Sequence, residues 1–213
     1  MQNLVAKICK WGKSVILCKW GIQINSVCKS CHYHIRDLRL SRLFLSRTTI
    51  NCNCWVRNSF VSSKLDYCNS LYFGISTKNL SKLQRIQNSL ARAITFTSKR
   101  QHISPVLKDL HWLPVKERID FKICLLTYKS LQNHQPVYLH ETLSIPSHSI
   151  FTRSSQSRAL SKHVTHTNAG SRAFSVAAPK LWNLLPPSIR TAPSIPTFRS
   201  RLKTHLFRQA YPP

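Results

Sequence analysis

Apolar residues recur along most of this chain every three or four positions, the repeat of an α-helix with one buried face. Ile24, Val27, Cys28, Cys31, Ile35 and Leu38 keep that spacing, and a helix is expected over 24–45. A second apolar stretch covers 50–61. Asp66, Asn69 and Gly74 mark 65–74 as a tight connection, because these residue types tolerate turn conformations. The clearest amphipathic pattern covers 78–96. Leu80, Leu83, Ile86, Leu90 and Ile94 fall on one side of it, with Lys78, Lys82, Arg85 and Arg92 nearly opposite. Ser104 and Pro105 suit the N-cap and first position of a short helix, which His111, Trp112, Leu113 and Pro114 bring to an end.

The stretch 115–131 is apolar over much of its circumference. Val115, Ile119, Ile123 and Leu126 form a line that Phe121, Leu125 and Tyr128 widen, which predicts a central helix. Residues 142–170 are rich in Ser, Thr and His and read as a long loop, with a short strand expected near 158–165. A helix follows over 171–185, with Phe174, Val176, Ala177, Leu181 and Trp182 apolar, until Pro186 and Pro187 stop it. A last helix begins after Ser194, with Pro196 in its first turn and Phe198, Leu202 and Leu206 on one side. The expected fold is mainly α: a small bundle of about five to six helices with a long loop and at most a short strand pair. Four regions are expected: a basic segment 1–23, a helical domain 24–141, a linker 142–170 and a helical extension 171–213.

Charge sharpens this picture. In 213 residues there are 32 Lys and Arg against 6 Asp and Glu, a net charge of +26. A field of that size repels itself and attracts polyanions, so a nucleic-acid partner is the first expectation. The acids are Asp37, Asp66, Asp109, Glu117, Asp120 and Glu141. Paired-carboxylate hydrolysis and two-metal phosphoryl transfer need clustered acids. The one close pair, Glu117 and Asp120, sits beside Lys116, Arg118 and Lys122, as in ordinary helix salt-bridging.

No segment has the roughly 18 consecutive apolar residues of a membrane span, and no signal-peptide core is present. Residues 1–23 repeat Cys-Lys-Trp-Gly at Cys9–Gly12 and Cys18–Gly21. Leu4, Ile8, Trp11, Val15 and Cys18 fall at helical spacing there, which fits an ordinary basic segment and also a presequence or membrane-surface helix.

Cys28, Cys31 and His34 with Cys52 and Cys54 have the ligand types of zinc, but Cys28 and Cys31 also occupy an apolar helix line where small thiols pack well. Only one residue separates Cys52 from Cys54, short of the usual two to four. There is no Gly-x-Ser-x-Gly and no Gly-rich phosphate loop, and the chain has only 4 glycines. No cofactor is expected. Aromatic residues lie among the basic ones: Trp55, Tyr67, Tyr72, Phe73, Trp112 and Trp182. Exposed, they would stack on unpaired bases; Trp112 and Trp182 are expected in the core instead. No acid lies between Asp66 and Asp109 to pair with the basic face of 78–96, which is read as facing a polyanion. The candidate contacts are Lys78, Lys82, Arg85 and Arg92, then Lys99 and Arg100. Arg199, Arg201 and Lys203 form a second patch. Contact to backbone phosphates, without base readout, is expected for RNA and DNA alike.

Several stretches resemble one family. They are 63–74 (SKLDYCNSLYFG), 83–94 (LQRIQNSLARAI), 102–114 (HISPVLKDLHWLP), 117–123 (ERIDFKI), 173–186 (AFSVAAPKLWNLLP) and 198–207 (FRSRLKTHLF). In this order they resemble the C-terminal, thumb and post-thumb part of LINE-type (non-LTR) retrotransposon reverse transcriptases. The resemblance covers about 24–210 and is strongest from residue 63 onward. It implies that 24–141 is thumb-like, that these regions hold the template–primer duplex and element RNA, and that the partner is RNA or DNA together with the palm domain of a full-length element. No Asp-Asp pair occurs here, so the catalytic palm of that family is not expected in this chain. Residues 1–23 depart from the family, as a decayed or frameshifted copy would. The alternative expectation is a translated remnant that does not fold stably without the palm. Nucleus and cytoplasm are suggested by analogy alone.

Overall fold

A computed structural model describes residues 13–41, 59–143, 159–161 and 163–212, with side chains for all of these except 13–20 and 41. Among these residues the chain is helical and no strand is formed. The helices are α1 (Lys13–Ser41), α2 (Thr77–Thr95), α3 (Ser104–Asp109), α4 (Val115–Asn133), α5 (Val137–His140), α6 (Phe174–Leu184), α7 (Pro187–Arg190) and α8 (Ile195–Ala210). Residues 59–66 are also helical, and 3-10 turns occupy Asn69–Tyr72 and Gly170–Arg172. The apolar stretch 50–58, the tail 42–45 of the first expected helix and most of the loop 142–170 lie outside the described residues.

Two compact units form. One holds the segments up to Tyr67 together with Ile75–Val115, the other Cys68–Gly74 with Lys116–Pro213. The division falls at Val115, the first residue of α4, and Tyr128 further along α4 packs on Phe198 and Trp182 of the C-terminal helices.

In the first unit α1 packs against α2. α1 begins at Lys13, upstream of the expected start at 24, and runs through the second Cys-Lys-Trp-Gly copy. Gly21 is the only helix breaker in that run, and at about 1 kcal/mol a single glycine is tolerated within a long helix. Ile24, Cys31, Ile35 and Leu38 are buried, as the spacing predicted. On α2 the buried line is Leu83, Ile86, Leu90, Ala91 and Ala93, with Leu80 and Ile94 at its margins. Each fully buried Leu or Ile contributes roughly 1.5–3 kcal/mol.

One buried member of that line is polar. Gln87 Nε2 donates to Leu113 O at 2.7 Å. One turn earlier, Gln84 Oε1 accepts from Val115 N at 2.9 Å. The two glutamines thus hold the backbone of 113–115 against α2 and satisfy an N–H that the start of α4 leaves without a helical partner. The N-cap of α3 is Ile103 and not Ser104, so Pro105 lies one position further into the helix than expected.

The second unit is built on aromatic rings. Tyr128 stacks on Phe198 with centroids 4.1 Å apart and planes at 14°. Trp182 lies 5.9 Å from Phe198 and 6.4 Å from Tyr128. The Tyr128 hydroxyl donates to Ala192 O at 2.7 Å, satisfying its polar end inside the core. Phe198, Leu202 and Leu206 of α8 are buried, as expected. Its N-cap Ser194 accepts from Thr197 N. On α4 the buried residues are Val115, Ile119, Ile123, Cys124, Thr127, Tyr128 and Ser130, while Leu126 is only half-buried.

The expected strand near 158–165 is replaced by a side-chain clamp. Asn183 Oδ1 accepts from Leu160 N at 2.9 Å, and its Nδ2 donates to Leu160 O at 2.8 Å. One amide thereby serves both backbone groups that a neighbouring strand would have paired. Gly74 has φ +66°, and a Cβ there would meet Arg172 Cγ at 2.8 Å. Arg172 Nε donates to Phe73 O at 2.9 Å, so this turn needs glycine for both its conformation and its neighbour.

Candidate nucleic-acid interface

The basic face of α2 is divided by what its side chains touch. On a wheel of 100° per residue, Lys78, Arg85 and Arg92 lie opposite the buried line, and Lys82 lies at its edge beside Ile86 and Ala93. Lys82 accordingly reaches α1, where Nζ donates to Asn25 Oδ1 at 2.8 Å. Arg92 turns back over the segment that follows the helix. Its Nε donates to Ser98 O at 3.3 Å and its Nη2 to Gln101 O at 3.0 Å. Both contacts fix a stretch that begins with Phe96 in the left-handed region, φ 60°.

Lys78, Arg85, Lys99 and Arg100 are exposed, and their side chains make no hydrogen bond or ion pair among the described residues. Lys99 and Arg100 follow the C-terminus of α2 in the chain. Six candidates were named in this unit; the structure leaves four directed at solvent and gives two to the fold.

The second patch does not form one face. Arg199 and Lys203 are exposed and four residues apart, so they share a flank of α8. Arg201 lies on the other flank of the buried line and donates through Nη1 to Ser188 O at 2.8 Å. Among the aromatics, Tyr67 is exposed, Tyr72 and Trp182 are buried, and Phe73 and Trp112 are half-buried. Trp55 lies outside the described residues.

Cys28, Cys31 and His34 sit on α1, whereas Cys52 and Cys54 lie outside the described residues. No group of three metal-binding side chains gathers among the described residues. Cys31 is fully buried, and burial pushes its thiol up to about 11, away from the thiolate that zinc binds. Burial raises Cys28 as well, against the opposing pull of Lys82. The His34 ring packs edge-on against Phe60 at 4.2 Å. Glu117 and Asp120 both lie on α4. Burial pushes Asp120 up to about 6, with Lys116 and Lys180 pulling against it and Glu117 adding to it. No helix of the described residues is long and apolar enough to cross a membrane.

Comparison with protein-family models, curated proteins and solved structures finds no match. The reading of function therefore stands on residues and geometry. Sequence reasoning missed Gln84 and Gln87, whose role depends on a backbone segment about thirty residues away. It also missed Arg190, a buried arginine that no spacing rule singles out.

Proposed function

We propose that the chain binds nucleic acid through phosphate contacts without base readout, and that it is a catalytically inactive fragment derived from the thumb and post-thumb region of a LINE-type reverse transcriptase. The observation that carries the binding reading is the set Lys78, Arg85, Lys99 and Arg100: exposed, without side-chain partners, and in a stretch with no acid from 67 to 108. Cations so placed neutralise phosphates and release counterions. Support for the family origin is the ordered run of sequence resemblances from residue 63 onward.

The test is binding of the full chain to a labelled RNA–DNA duplex across a salt series. K78Q and R85Q are each expected to weaken all sequences alike and to reduce the slope of log K against log salt by about one. Lys82 and Arg92 supply the contrast: K82Q and R92Q are expected to lower the unfolding midpoint. A slope unchanged in both K78Q and R85Q would remove this face as the interface.

A second reading, a remnant that needs a missing palm domain, is favoured by one observation. Ile22, Tyr33, Leu40 and Phe60 of the first unit are 65, 68, 50 and 42% exposed. Apolar side chains left in water suit a surface made for another domain. Absence of a cooperative unfolding transition in the isolated chain would decide for it.

A further inference from the structure

The second unit contains a cavity of about 200 Å³ lined by Tyr128, Leu131, Gln132, Leu160, Trp182 and Arg190. Arg190, the last residue of α7, is 7% exposed. Its Nε has no hydrogen-bond partner, and its guanidinium makes no ion pair among the described residues. A buried guanidinium without an acceptor is costly unless a counter-charge arrives. The chain has little to offer. The acids of this unit are Glu117, Asp120 and Glu141, and no acid follows residue 141. The described lining holds no counter-charge either: Tyr128, Leu131, Gln132, Leu160 and Trp182 are all neutral.

We propose that this cavity binds a small organic carboxylate, its anionic end on the Arg190 guanidinium and its apolar body against Trp182, Leu131 and Leu160. Size and donors select this class. A cavity of about 150 Å³ holds one benzene ring, so this one accepts a single ring or a branched aliphatic group beside a carboxylate. One guanidinium matches one carboxylate with two parallel N–H···O bonds. A phosphate dianion brings a second charge, and the described lining holds no second cation. The site is separate from the exposed basic residues of α2 and does not depend on how those act.

Titration of the full chain in about 0.15 M salt with phenylacetate and with phenylacetamide tests the proposal. The acid is expected to bind at least tenfold more tightly than the amide and to shift the Trp182 indole resonances. R190M is expected to abolish that preference and to raise the unfolding midpoint, since it removes a buried charge that lacks a partner. R190K should retain part of the preference. Nonspecific attraction is controlled internally, because R190M leaves 31 of the 32 basic residues. A short peptide ending in phenylalanine, with a free or an amidated C-terminus, distinguishes a polypeptide carboxylate from a free acid as the source. Equal binding of acid and amide, binding of neither, or an acid preference that survives in R190M would overturn the assignment. Should R190M not fold, the wild-type acid-to-amide ratio and R190K decide alone.

Discussion

Individual polar residues in this protein are divided between holding the fold and facing solvent. Lys82, Arg92 and Arg201 carry the same charge as Lys78, Arg85 and Lys203, yet each donates to a carbonyl or amide oxygen of its own unit. Asp120 shows what burial does to a charge that belongs to the fold. Its carboxyl sits at about 6, above its usual value of 3.8, because desolvation outweighs the neighbouring lysines. The folded state therefore binds the Asp120 proton more tightly than the unfolded chain does. Between about pH 4 and pH 6 this residue makes stability fall as pH rises, and above that window its full cost remains. D120N is expected to flatten that part of the pH–stability curve. At pH 7 it should raise stability by up to about 3 kcal/mol, the equivalent of a two-unit shift. Chemical unfolding at pH 4, 5, 6 and 7 measures both effects, and a variant less stable than the parent at pH 7 would contradict this account.

At the scale of elements, apolar spacing determines which side of a helix is buried, and tertiary contacts determine where it starts and stops. α1 extends to Lys13 through Gly21. A Cβ at Gly21 would meet nothing within 4 Å, so the glycine has no packing role there. G21A is expected to stabilise α1 by about 1 kcal/mol, by restricting the unfolded chain and favouring helix. Thermal unfolding followed by circular dichroism checks this, and a lowered midpoint would mean that the helix breaks near Gly21. α4 shows the converse. Its apolar circumference was legible, but the buried positions also include the small residues Cys124, Thr127 and Ser130, and Tyr128 is covered by the rings of Trp182 and Phe198 from the C-terminal helices. The Asn183 clamp on Leu160 was illegible for a related reason. The segment does read as extended, yet its hydrogen-bond partner is a side chain 23 residues away.

For the whole molecule, the net charge of +26 governs behaviour in solution. Self-repulsion of that size weakens any compact state, and salt screens it. The unfolding midpoint is expected to rise as salt goes from about 0.05 to about 0.5 M, while affinity for the RNA–DNA duplex falls over the same range. Opposite responses of stability and binding are the signature of a cationic fold acting on a polyanion. A midpoint that falls with salt would show that attractive charge pairs, and not repulsion, dominate the folded state. A saturating polyanion should mimic salt and raise the midpoint, since a ligand that prefers the folded state stabilises it.

The sequence by itself determined the helical class, the faces that Leu83, Ile86, Leu90, Phe198, Leu202 and Leu206 bury, and the excess of basic over acidic charge. These are properties of local spacing and composition, and they survive any choice of neighbour. Only the tertiary structure decided which cations remain directed at solvent, that Gln84 and Gln87 hold the start of α4, that the chain divides at Val115, and that Arg190 lies buried beside a cavity without an acid to meet it. Each of those depends on a partner distant in the chain. A repeat of three and four residues marks a side as apolar but does not say what will cover it.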